Sequence, residues 1–84
     1  MTEFRDNQVL RTKRAFVASG ISDGVAYTFP AGTLCTVVTP GEGWCHAEFV
    51  VTFPDGGVEC ALVTIEEGEA EIVPRSEWEA LAAE

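Results

Sequence analysis

Four side chains in this sequence are candidate metal ligands or partners in nucleophilic catalysis: Cys35, Cys45, His46 and Cys60. A zinc site usually takes its ligands from closely spaced pairs, and no such pair occurs here. Cys45 and His46 are adjacent, so in an extended strand they point to opposite faces. We therefore predict no metal site and no cofactor, with the cysteines serving as small, mostly buried apolar residues.

Nucleophilic catalysis would require a thiolate within reach of a base, and His46 is the sole histidine of the chain. Cys35 or Cys60 could approach His46 only from a neighbouring strand, and no third group is placed to orient its ring. The glycine pairs lie in turns with no helix after them, unlike a phosphate-binding loop. We therefore predict that the protein is not an enzyme.

Charge is distributed unevenly along the 84 residues, whose net charge is -9. Residues 1–14 hold four of the five basic residues and two of the fourteen acidic ones, a net charge of +2. Residues 15–84 hold one basic and twelve acidic residues, a net charge of -11. A body this acidic repels nucleic acids and anionic membranes and attracts basic partners. The alternative is that the charge only keeps a small protein soluble.

The densest acidic cluster lies near the C-terminus and defines the predicted partner-binding residues: Glu66, Glu67, Glu69, Glu71, Glu77 and Glu79. In an extended segment, Glu67, Glu69 and Glu71 would project from one face at intervals of about 6.6 Å. Such a row resembles the charge spacing of a phosphate backbone, which suggests nucleic-acid mimicry. The alternative is a solvated face. Glu42 and Glu48 are outlying members of the predicted acidic surface.

Short strands separated by turns must position these residues. Alternation and β-branched residues predict strands over residues 8–18, 25–29, 33–39, 44–53, 58–65 and 69–73. The sequence Pro-Asp-Gly-Gly at 54–57 predicts a hairpin turn. Residues 76–83 are predicted to form a short helix, in which Trp78 and Leu81 lie on one apolar stripe. Docking of this helix on its own domain is favoured over binding to a second copy or another protein.

The chain length allows one domain, residues 1–84, and the pattern predicts a mainly β fold. We expect a small antiparallel barrel of about five strands with a short C-terminal helix. The segments Phe29-Pro-Ala-Gly-Thr-Leu-Cys-Thr-Val-Val38 and Ala47-Glu-Phe-Val50, followed by Asp55-Gly-Gly57 and Ala61-Leu-Val-Thr-Ile65, resemble the core of the DUF4926 type of small bacterial proteins. The resemblance covers residues 8–73 and implies an SH3-like barrel. It implies no catalytic residues.

Two functions follow as hypotheses. The first is an acidic binding protein that engages a basic surface of a larger partner, such as a nucleic-acid-handling complex, and acts as a phage-encoded inhibitor of the anti-CRISPR kind. The second is a housekeeping SH3-like accessory module that forms a homodimer through Trp44, Trp78 and Leu81. No apolar run approaches the roughly 18 residues of a membrane span. The unpaired cysteines favour a reducing compartment, so we expect a cytoplasmic protein that binds neither membranes nor nucleic acid directly.

Overall fold

The computed structural model describes residues 4–77, which form seven β-strands and a helical turn at 75–77. The strands are β1 (Val9–Thr12), β2 (Phe16–Ser19), β3 (Ala26–Phe29), β4 (Leu34–Pro40), β5 (Trp44–Thr52), β6 (Val58–Glu66) and β7 (Ala70–Ile72). Five of them form an antiparallel sheet in the order β6-β5-β4-β1-β7, while β2 and β3 form a separate hairpin. The predicted mainly β fold class is confirmed.

The strand order reflects an antiparallel meander, β4 to β6, with β1 beside β4 and β7 returning to the other side of β1. Every strand pairing in the two sheets is antiparallel, as the sequence predicts. The β2–β3 hairpin is inserted between β1 and β4, and it touches β6 through a bridge between Gly20 and Ala61. In the strand pairing, β6 and β7 are the edges of the five-stranded sheet.

Phe49 on β5 lies at the centre of the core and is fully buried. The Phe29 ring stacks on it with centroids 4.2 Å apart, and the Phe16 ring lies 6.2 Å away at a tilt. The hairpin therefore covers the inner face of the sheet with aromatic rings, and stacked or tilted pairs of this kind add to the stabilisation from burial. Leu10 of β1 and Ile65 of β6 complete the buried centre.

The predicted continuous strand over residues 8–18 is wrong, because β1 ends at Thr12 and β2 begins at Phe16. Leu10, Thr12, Phe16 and Ala18 are all buried. In one continuous strand, period-two alternation would direct Arg14 into the core with them. A bend at residues 13–14 instead leaves Arg14 exposed and carries Phe16 over Phe49.

The remaining predicted strands agree with β3 to β7 to within one residue at each end. The predicted hairpin turn at 54–57 joins β5 to β6, and Gly56 has the positive φ, 89°, that such a turn favours. The helix predicted for 76–83 begins at residue 75, where the Glu77 N–H donates to the Pro74 carbonyl at 2.9 Å. Trp78, Glu79 and Leu81 lie outside the described residues.

Phe49→Ala should lower the free energy of unfolding by about 3–5 kcal/mol, because it removes the ring on which both hairpin phenylalanines pack. Val50→Thr changes the next residue, whose side chain is exposed, and should change stability by less than about 0.5 kcal/mol. Urea denaturation followed by tryptophan fluorescence measures both. Equal losses in the two variants would contradict this account of the core.

Candidate functional site

The described glutamates predicted to bind a partner occupy the end of β6, the following turn, β7 and the helical turn: Glu66, Glu67, Glu69, Glu71 and Glu77. Gly68, with a φ of 92°, reverses the chain between Glu67 and Glu69. The regular row of Glu67, Glu69 and Glu71 is therefore not formed, because two of the three lie in a turn. The glutamates instead have different partners and different surroundings.

Arg11 lies between two of these glutamates. It faces Glu71 across the β1–β7 pairing, and its guanidinium lies 3.2 Å from the Glu71 carboxylate and 2.7 Å from that of Glu77. The hydrogen bond to Glu77, followed by that to Glu71, raises the pKa of Arg11 above its already high ordinary value. Glu71 and Glu77, both predicted to bind a partner, are thus already paired with an arginine of the same chain.

Glu69 has a structural role in the β6–β7 turn. One carboxylate oxygen accepts the Glu66 backbone N–H at 2.8 Å, and the other accepts Nε of Arg14 at 2.6 Å. The hydrogen bond from Glu66, assisted by Arg14, holds the pKa of Glu69 below its usual range. The Arg14 guanidinium also lies 3.9 Å from the centroid of the Phe16 ring. Arg14 therefore ties the β6–β7 turn to the start of β2.

A second acidic turn lies beside the first. The Glu67 backbone N–H donates to the Gly43 carbonyl at 2.9 Å, which joins the β6–β7 turn to the β4–β5 turn. We call Glu42, Glu66 and Glu67, with these two turns, the acidic end. The carboxylate of Glu66 has no ion-pair partner among residues 4–77. This end of the molecule consequently presents carboxylates outward.

Trp44 supplies an aromatic surface at the acidic end. It lies opposite Glu66 in the β5–β6 pairing, its side chain is partly exposed, and its indole covers Gly41 so closely that a Cβ there would meet the ring. The His46 ring contacts the indole edge-on with centroids 5.0 Å apart, and Nδ1 of His46 lies 3.2 Å from the Thr64 hydroxyl. An indole beside carboxylates is suited to a lysine or arginine side chain.

Glu59 of β6 is a buried carboxylate that sequence reasoning missed. Its oxygens accept the backbone N–H groups of Ser22 and Asp23, each at 3.1 Å, and that of Cys60 at 3.0 Å. It thereby fixes the hairpin loop, residues 20–25, against β6. Strand alternation places Glu59 on the same face as Ala61 and Ile65. This alternation is the feature of the sequence that indicates an inward-pointing carboxylate.

Asp23 and Tyr27 hold the other side of this loop. The Asp23 carboxylate accepts the Val25 N–H at 2.9 Å and a hydrogen bond from the Tyr27 hydroxyl. This bond, together with partial desolvation, raises the pKa of Tyr27 to about 12, and it lowers that of Asp23. The carboxylates of Glu59 and Asp23 therefore both hold the hairpin loop in place.

The cysteines are free, and burial governs their chemistry. Desolvation raises the pKa of Cys35 to about 12 and that of Cys45 to about 11, so neither is a thiolate at neutral pH. Cys60 is half-buried and donates to Glu48 at 3.5 Å; its pKa is raised by burial and then by this bond. Among residues 4–77, no group of three or more histidine, cysteine or carboxylate side chains is arranged to hold a metal ion.

Comparison with protein-family models, curated proteins and solved structures finds no match to this chain. The family resemblance of residues 8–73 stays a prediction. No helix within the described part of the chain has the length and hydrophobicity needed to span a bilayer.

Glu59→Gln should lower the free energy of unfolding by about 1.5–3 kcal/mol, because the amide nitrogen that replaces one oxygen cannot accept a backbone N–H. The Ser22 and Asp23 amide protons should exchange faster with solvent. Glu66→Gln, at an exposed carboxylate, is the control and should change stability by less than about 0.5 kcal/mol. Unchanged exchange at both amides in Glu59→Gln would show that Glu59 does not fix the loop.

Tyr27 is the sole tyrosine in the chain, so its titration can be followed by ultraviolet absorbance. The midpoint should lie near 12, and Asp23→Asn should lower it towards the ordinary value of 10.0. The neutral phenol donates to Asp23, so its stabilisation is complete below pH 10 and is lost as the pH rises towards 12. The unfolded chain in guanidinium is the reference. A native midpoint equal to that of the unfolded chain would rule out this bond.

Proposed function

We propose that the protein is a non-enzymatic binding protein whose acidic surface engages a basic surface of a larger partner. The observation that carries the proposal is the acidic end, where the hydrogen bond from Glu67 to Gly43 joins two acidic turns beside Trp44. Residues 15–74 contain nine carboxylates and no lysine or arginine, so β2 to β7 carry no permanently charged basic side chain of their own. Lysines and arginines of a partner would supply the missing positive charge.

The predicted binding residues contribute unequally in this proposal. The exposed carboxylate of Glu66 makes the first contact, with Trp44 offering its ring to an incoming cation. A partner could engage Glu69, Glu71 and Glu77 only in competition with Arg14 and Arg11, which already hold them. Glu79 belongs to the same proposed surface and lies outside the described residues.

A nucleic-acid-handling complex is the partner class we propose, because such complexes carry lysine- and arginine-rich surfaces. The protein would occupy such a surface as a nucleic-acid mimic, which is the action of an inhibitor of the anti-CRISPR kind. Mimicry would rest on the acidic end, since a regular row of carboxylates is not formed. The free cysteines suit action in the reducing cytoplasm.

A non-enzymatic role fits the state of the candidate nucleophiles. The raised pKa values of Cys35 and Cys45 leave both as neutral thiols at physiological pH. The His46 ring is engaged by Thr64 and Trp44 on the outer face of β5, whereas Cys45 points into the core. His46 and its neighbour Cys45 therefore lie on opposite faces of the strand.

The second candidate is an accessory module that dimerises through apolar contacts. The observation in its favour is the exposure of several aliphatic side chains, among them Val17, Val50 and Val58. Trp44 would join this contact, together with Trp78 and Leu81 of the undescribed C-terminal segment. Apolar association persists at high salt, whereas recognition through exposed charges is weakened by screening.

A matched pair of charge variants tests the first proposal. Glu66→Gln with Glu67→Gln removes two negative charges at the acidic end, and Thr28→Lys with Asp55→Asn shifts the net charge equally at exposed positions elsewhere. The probe is an immobilised peptide in which lysine alternates with serine. The first double variant should bind about fivefold more weakly than the wild type, and the second should change affinity by less than about twofold.

Binding should also weaken as salt is raised. Equal losses in the two double variants would show that total charge, and not the acidic end, governs binding. Binding that does not change between low and high salt would overturn recognition by charge.

A further inference from the structure

An apolar patch lies on the outer face of the sheet beyond the acidic end. Val50 is 57% exposed, Val58 65% and Leu62 46%. Val50 lies opposite Cys60, while Leu62 and Val58 flank Cys60 on the same face of β6. Ile21, which is 61% exposed, borders the patch because its backbone N–H donates to the Cys60 carbonyl at 2.8 Å. Contiguous exposed aliphatic side chains of this kind indicate an interaction surface.

We call Ile21, Val50, Val58, Cys60 and Leu62 the apolar patch. Its border is acidic: Glu48 lies directly opposite Leu62, and Glu66 lies farther along the same face of β6. β4, β5 and β6 contain no lysine or arginine. The face therefore combines apolar side chains with negative charge and carries no fixed positive charge.

We infer that this outer face binds an extended segment of the partner in which apolar residues are interspersed with lysine or arginine. The inference rests on the proposed function and names the partner's chemistry. Trp44 and Val50 are six residues apart on β5, which corresponds to about 20 Å in a strand. A bound segment of about six residues can thus place its apolar side chains on the apolar patch while a basic side chain reaches Trp44 and Glu66.

The negative charge of the outer face favours a basic partner segment over a second copy of the chain. A two-fold symmetric dimer through this face would bring the same surface patch of each copy together. Glu48 and Glu66 of one copy would then meet an acidic face that has no lysine or arginine to compensate them. Like charges brought together in this way disfavour association, whereas lysines or arginines on a partner favour it.

Three peptides and one matched pair of variants test the inference on the full chain. Every second residue of each peptide is serine, and the positions between alternate lysine with leucine, lysine with serine, or glutamate with leucine, so that these side chains share one face of an extended strand. Their affinities are measured by isothermal titration calorimetry. The lysine–leucine peptide should bind about tenfold more tightly than the lysine–serine peptide. The glutamate–leucine peptide should not bind.

Val50→Thr should weaken lysine–leucine binding about fourfold and leave lysine–serine binding unchanged, because it exchanges one methyl group of the apolar patch for a hydroxyl. Val17→Thr makes the same substitution at a valine that is 67% exposed on β2, outside the patch, and should change neither affinity. Circular dichroism confirms that both variants are folded.

Equal affinity for the two lysine peptides, or equal effects of the two variants, would overturn the inference and leave the proposed function standing. Failure of both lysine peptides to bind at low salt would overturn the proposed function as well. A wild-type dimer in sedimentation that Val50→Thr dissociates would identify a second copy as the occupant and overturn the inference.

Discussion

β1 lies between β4 and β7, and its pairing with β7 brings together two regions of opposite charge. Leu10 anchors β1 in the core, while Arg11 on the opposite face lies between Glu71 and Glu77. Just beyond β1, Arg14 holds Glu69. The basic start of the chain therefore neutralises part of its acidic C-terminal segment. Exposed ion pairs of this kind contribute little stability, but they determine which carboxylates a partner can reach without competition.

The rest of the surface differs from this internally paired region. The chain from the start of β2 to the end of β6 contains no lysine or arginine. At the acidic end Glu66 lies opposite the partly exposed indole of Trp44, and the apolar patch follows along the same two strands. The hairpin loop borders the patch through Ile21 and is itself held by Glu59. Fixing the loop in advance limits the ordering that binding would otherwise require.

The sequence predicts the strands well because their alternation reports burial directly. Cys45, Ala47 and Phe49 are predicted inward and are fully buried. It does not predict the break before Phe16, because the apolar residues on both sides fit one continuous strand. The one sign against that strand is that it would direct the charged side chain of Arg14 into the core. The acidic row fails for a similar reason: period-two spacing implies an extended segment, but Gly68 turns the chain.

The roles of Arg11 and Glu59 lie beyond local patterns, because both depend on pairings between residues far apart in the chain. Glu77 is 66 positions from Arg11, and the amides of Ser22 and Asp23 are 37 and 36 positions from Glu59. Alternation could indicate that Glu59 points inward, but not that a loop supplies its hydrogen-bond donors. Long-range strand order was therefore the information needed to locate both contacts.

The binding surface proposed here is one outer face, formed by β5, β6 and the two acidic turns. Titration of the isotopically labelled protein with the lysine–leucine peptide, followed by amide chemical shifts, tests it most directly. The shifts should be concentrated at residues 41–50 and 58–67, with little change in β1 and β7. Shifts concentrated in β1 and β7, or spread evenly over the chain, would contradict it.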